Sequence, residues 1–167
     1  MTMDEMLVEH CEHVMKSGFS MVHIIPTDNT PSYTYTIGLG VNPRYQGCDF
    51  VIVALPPLVA AQTLTNLYQE YISVGIKVSD GQVLHELANV PVIVRQIYKD
   101  VNIFGLGTRV SNLLRQMVDL EPQDNYPMMQ LCWPDEAGKY CWEAGYDTGE
   151  LRQSLITEDW TLNRIHN

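Results

Sequence analysis

Apolar residues recur at helical spacing near the start of the chain, with Met3, Leu7, Cys11 and Val14 on one stripe. They follow Thr2-Met3-Asp4-Glu5, in which Thr2 caps the first backbone N–H groups and Glu5 reaches back to the Thr2 amide. Gly18 stands where a left-handed residue closes a helix. The pattern predicts a short amphipathic helix ending at Gly18. The period then changes to two. Phe19 to Thr27 is rich in β-formers, and Asp28-Asn29-Thr30-Pro31 marks a turn. Tyr33 to Leu39 alternates, with Tyr33, Tyr35, Ile37 and Leu39 on one face and Thr34, Thr36 and Gly38 on the other. Two such strands joined by a short polar turn predict an antiparallel hairpin.

After a loop over Asn42 to Asp49, Phe50 to Leu55 is continuously apolar, as a strand buried on both faces requires. Pro56-Pro57 ends it, and Pro57 suits the first turn of a helix. Ala60, Leu64, Leu67, Tyr71 and Val74 then repeat at helical intervals up to Gly75. Ile76 to Ala88 carries only a turn signal at Asp80-Gly81, and Val90 to Ile97 reads as another strand. Gly105 to Arg109 lacks both the third Gly of a dinucleotide fingerprint and the Gly-Lys-Ser/Thr of a phosphate loop. It reads as a flexible turn ahead of a helix over Val110 to Val118, with Leu113, Leu114 and Met117 on the buried side.

Gln130 to Trp142 reads as a second hairpin around Asp135 to Gly138, with Trp133 opposite Tyr140 and Cys132 opposite Cys141. Leu131, Trp133, Tyr140 and Trp142 then share one face, and Gln130, Cys132, Cys141 and Glu143 the other. Strands and helices do not alternate strictly, and hairpins bracket the chain. The class this implies is α+β: a single domain over residues 1–167 with a mainly antiparallel sheet flanked by helices.

Composition narrows the function more than the fold. The 167 residues are 46% hydrophobic and 18% charged, which suits one globular core and excludes a disordered chain. Twenty acidic against ten basic residues give a net charge of −10. Ten of the acidic residues lie between Asp119 and Asp159, against only Lys139 and Arg152. A field of that sign repels nucleic-acid phosphates and anionic membrane, and suits a protein partner with a basic surface. No basic-then-apolar leader and no 18-residue apolar run occurs, so a cytoplasmic protein with reduced cysteines is expected. Cys132 and Cys141 would pair as a disulfide only in an oxidising compartment.

Candidate chemistry is sparse. His10 and His13 share a helical face, yet zinc needs a third and usually a fourth ligand, and no partner motif is visible. His23 reads as a satisfied sheet histidine, and His85 and His166 show no partners. No cofactor and no metal are implied. There is no nucleophile elbow and no cysteine in an evidently electropositive setting, so no catalytic residue is assigned. The aromatic residues of the two hairpins offer a pocket wall instead. The candidate binding residues are Thr34, Thr36, Trp133, Asp135, Tyr140, Trp142 and Glu143. Two functions follow as expectations: a non-catalytic acidic interaction domain, or a small-molecule or nucleotide-processing enzyme with its pocket between the Thr34/Thr36 strand and the Trp133–Trp142 hairpin.

Tyr35-Thr36-Ile37-Gly38-Leu39, then Leu55-Pro56-Pro57, then Gln130-Leu131-Cys132-Trp133-Pro134-Asp135 with Gly138 and Trp142 occur in an order that resembles the bacterial and phage domain-of-unknown-function family 4262. Gly18-Phe19 matches the segment before the first of these motifs, and the resemblance covers about residues 18–156. Where the family commonly has His-Pro-Glu-Leu, this chain has Asn42-Pro43-Arg44-Tyr45, and Cys141 stands in place of a Pro. The resemblance implies a folded domain, of phage or mobile-element origin under the interaction reading, and no particular reaction.

Overall fold

The computed structural model describes residues 1–28, 30–42, 45, 47–85, 87–97, 103–147 and 153–157. Asn29 of the first turn, Pro43, Arg44 and Gln46 of the following loop, Arg152 and His166 lie outside the described residues.

Helix α1, Met3–Ser17, forms where the capping box placed it: the Glu5 N–H donates to Thr2 Oγ1 at 3.2 Å, and the Thr2 N–H to Glu5 Oε2 at 2.8 Å. Gly18 closes it at φ 94°, its N–H donating to Val14 O at 2.9 Å. A side chain at Gly18 would also strike the Tyr68 ring, so conformation and packing both demand glycine. Strands β1 (Ser20–Ile24) and β2 (Tyr33–Ile37) make the expected antiparallel hairpin, with Val22 opposite Tyr35. Strand β3 is Asp49–Val53, and all five of its residues are buried. Helix α2 is Pro57–Leu67, continued by a wider π-helical turn over Tyr68–Ile72. Strands β4 (Val83–Leu84) and β5 (Val92–Gln96), helix α3 (Gly105–Gln116) and strand β6 (Met128–Cys132) complete the order.

The six strands form one sheet in the order β1-β2-β3-β6-β5-β4. Every pairing is antiparallel except β3 with β6. The fold is α+β. Tyr33, Tyr35 and Ile37 alternate toward α3: the Tyr33 hydroxyl donates to Ile103 O at 2.8 Å, and the Tyr35 ring centroid lies 5.0 Å from that of Phe104. On the opposite face Thr34 Oγ1 lies 2.7 Å from His23 Nδ1, which satisfies that histidine within the sheet.

Two elements depart from the sequence reading. The late hairpin does not form, because β6 already has β3 on one edge and β5 on the other. Its backbone donors and acceptors are consumed by the sheet, so Lys139–Trp142 has no edge to pair with and forms no strand, passing into a turn at Cys141 and Trp142. The tight turn itself survives, with the Asp135 N–H donating to Lys139 O at 2.8 Å. Helix α3 begins at Gly105, so Gly105 to Arg109 is its first turn rather than a flexible lead-in. Gly107 serves close packing: a Cβ there would sit 2.8 Å from Tyr35 Cε2. Gly107, Val110 and Ser111 are the fully buried positions of α3, Leu113 and Leu114 pack partly buried against the core as expected, and Met117, expected beside them, is 59% exposed.

Candidate functional site

A concavity follows from how β2 ends. Ile37 is the last strand residue, and Gly38 at φ 101° reverses the chain into a short 3-10 turn over Leu39–Val41. That reversal aims two backbone N–H groups at the start of β3. The Leu39 N–H donates to Asp49 Oδ1 at 3.0 Å and the Gly40 N–H to Asp49 Oδ2 at 2.8 Å. The Thr36 hydroxyl donates to Asp49 Oδ1 at 2.7 Å and accepts from the Phe50 N–H at 3.0 Å. A Cβ at Gly40 would lie 2.7 Å from Asp49 Oδ2, so the carboxylate occupies space only a glycine leaves open.

Asp49 is 3% exposed, and burial pushes its carboxyl up to about 6 against the three hydrogen bonds, which favour the charged form. It forms part of the wall of a cavity of about 400 Å³. The cavity lies where β2 and β5 finish and β3 and β6 begin, beneath the first half of α3. Tyr35, Phe104, Ile97 and Met129 supply apolar wall; Thr108, Ser111, Asn125 and Gln96 supply neutral polar groups. Among the described residues no Lys, Arg or His lines it. Cys48 also lines it, but burial and the neighbouring Asp49 push its thiol up to about 12, so it stays protonated and is a poor nucleophile. This volume is in the range of small-ligand pockets.

The family model of a domain of unknown function (DUF4262) matches residues 13–147. The chain belongs to this family. Neither a curated protein nor a solved structure matches it. The DUF4262 match spans the Tyr35–Leu39 segment that builds the Asp49 cradle and the Gln130–Asp135 segment that supplies β6.

In this DUF4262 domain the seven binding candidates read from sequence do not converge. Thr36 lines the cavity, and the other six do not. Thr34 is buried against His23 on the opposite face of β2. Trp133 is a core residue whose indole N–H donates to Val53 O at 3.0 Å, while Gln153 holds its backbone N–H and carbonyl. Tyr140 and Trp142 stack at 5.2 Å, the Arg95 guanidinium lies 4.5 Å from the Trp142 ring centroid, and the Tyr140 hydroxyl donates to Pro91 O. Asp135 accepts from the N–H groups of Asp147, Lys139 and Ala137, which lower its pKa and make it the staple of its own loop. Glu143 Oε1 accepts from the Tyr140 N–H at 3.0 Å. His10 Nδ1 lies 2.7 Å from Ser20 Oγ, and no trio of potential metal ligands gathers among the described residues. No helix among them is long and apolar enough to cross a membrane.

The sequence reading missed Asp49. Its signal was present: an acidic residue directly preceding a continuously apolar central strand cannot remain buried without donors. Thr36 and the glycine-punctuated Gly38-Leu39-Gly40 were the nearby means of supplying them.

Proposed function

We propose that this domain is a non-catalytic small-molecule binder whose cavity takes an organic amine with an apolar body. The observation that carries the reading is the buried Asp49 carboxylate in the wall of a cavity where, among the described residues, no cation lies. A carboxylate accepts about four hydrogen bonds, and three positions are taken by Thr36, Leu39 and Gly40. The remaining acceptor position suits an ammonium N–H. Tyr35 and Phe104 offer ring surface to the ligand body and favour a cation. The net charge of −10 steers cations toward the protein. The same chemistry weighs against a nucleotide, whose phosphates need cationic or convergent N–H partners.

The test is a thermal-shift and NMR screen of small aromatic and aliphatic amines against the wild-type chain and Asp49→Asn. Binding is expected at pH 7.5, to weaken roughly tenfold per pH unit below about 6 as Asp49 takes a proton, and to be lost in Asp49→Asn. An absence of shifts across the panel, or equal binding by Asp49→Asn, refutes it.

A second reading, an acidic interaction face for a basic protein, draws on the exposed Asp119, Glu121, Asp124 and Glu136. Salt-dependent capture of a basic partner, abolished by reversing these charges, is its test.

A further inference from the structure

Two buried hydroxyls in the cavity wall are left without the partners that burial demands. Ser111 is 2% exposed and lines the cavity from the buried side of α3. Among the described residues its hydroxyl has no hydrogen-bond partner. A hydroxyl inside a helix commonly bonds the carbonyl one turn back, as Thr63 of α2 does with Val59 O at 2.8 Å. Tyr35 is 1% exposed and lines the same cavity from β2. Its hydroxyl oxygen accepts from the Gly107 N–H at 3.3 Å, but among the described residues nothing accepts its proton. Tyr33, on the same face of β2, gives its proton to Ile103 O. Burial pushes the Tyr35 phenol up, so that proton stays in place. Gly107, which holds the Tyr35 oxygen, is four residues before Ser111 on α3, and helical residues four apart share one face. The two hydroxyls therefore belong to one wall of the cavity. Buried polar groups in native proteins are nearly always paired, and an unpaired one in a cavity wall marks where a bound molecule supplies the partner.

Resting on the amine reading of Asp49, we propose that the cavity takes an amino alcohol, its ammonium on Asp49 and its hydroxyl between Ser111 and Tyr35. A hydroxyl matches both groups, because it accepts from the Tyr35 O–H and donates to Ser111 Oγ. A carboxylate does not match. Among the described residues no Lys, Arg or His lines the cavity to neutralise it, and it would share the space with the Asp49 carboxylate. A ligand ending in hydrocarbon leaves both hydroxyls unpaired. Ser111 and Tyr35 thus separate amino alcohols from plain amines on one side and from amino acids on the other.

The test is calorimetric titration of the full chain at pH 7.5 with phenethylamine, phenylalaninol and phenylalanine, and again with isoamylamine, leucinol and leucine. Within each series the body and the amine are kept and only the oxygen group changes. The amino alcohol should bind roughly tenfold tighter than the plain amine, and the amino acid weaker than either. Ser111→Ala and Tyr35→Phe should each remove most of that advantage. Without ligand, Ser111→Ala should melt no lower than wild type, since it breaks no hydrogen bond and alanine favours a helix. Should Tyr35→Phe fail to fold for want of a partner for the Gly107 N–H, the wild-type series and Ser111→Ala decide alone. Equal binding of amine and amino alcohol, a preference for the amino acid, or an advantage intact in Ser111→Ala overturns this inference and leaves the amine site standing. A lower melting temperature for unliganded Ser111→Ala assigns the hydroxyl to the fold and overturns it too. Binding by no member of either series overturns both.

Discussion

Replacing Asp49 by Asn tests the electrostatics of the cavity directly. Burial raises the native carboxyl from 3.8 to about 6, so between those values the folded chain holds a proton that the unfolded chain has released. Stability therefore falls as pH rises through that window and levels off above about 6. At 1.36 kcal/mol per pKa unit the whole penalty is about 3 kcal/mol. Roughly half of it, about 1.4 kcal/mol, develops between about pH 5 and 7.5, a range clear of the isoelectric point near 4.7. An amide cannot titrate, so Asp49→Asn loses this dependence. It keeps one acceptor oxygen for Thr36 and Leu39 but turns an N–H₂ toward the Gly40 N–H, at a cost of about 1–3 kcal/mol. The two changes nearly offset each other at pH 7.5. At pH 5 the variant should be less stable than wild type by about 1.4 kcal/mol more than it is at pH 7.5. Urea unfolding of both proteins across the range measures the difference, and the contributions of the other carboxylates cancel in it. A gap that stays constant with pH, or that widens toward neutrality, refutes the assignment of Asp49 as a carboxyl destabilised by burial.

Gly107→Ala should cost about 1–3 kcal/mol in chemical denaturation, because its Cβ would meet Tyr35 at 2.8 Å and push α3 off the sheet. Gln130→Ala should cost about 1–3 kcal/mol and speed hydrogen exchange at Ile156. Its fully buried amide bridges Ser154 O and the Ile156 N–H, and alanine would leave both groups without that partner. Trp133→Ala should cost about 3–5 kcal/mol, and Trp133→Phe less, since the phenyl ring keeps most of the packing and loses only the bond to Val53 O. Thr2→Ala should lower helicity at the α1 N-terminus and cost about 0.5–2 kcal/mol by thermal melting.

Local signals determined what depends on neighbours in sequence. The Thr2–Glu5 capping box, the Gly18 stop, the β1–β2 hairpin and the buried run at β3 were all legible, because caps, turns and periodicity act within a few residues. The family motifs were legible too, though the reason for the Tyr35–Leu39 motif was not. Its glycine and its threonine serve an aspartate ten residues beyond the leucine, across a loop. Tertiary structure alone decided the rest. The Gln130–Trp142 pattern satisfies a hairpin locally, yet β3 and β5 flank β6 and occupy both of its edges. Gly105 and Gly107 look like turn residues until Tyr35 comes within contact of α3. The cavity joins the ends of four strands with a helix, and its members are spread from Tyr35 to Met129. Periodicity reports which face of an element is apolar, but it carries no information about which element will cover that face. That choice belongs to long-range packing, and with it came Asp49 in the cavity wall.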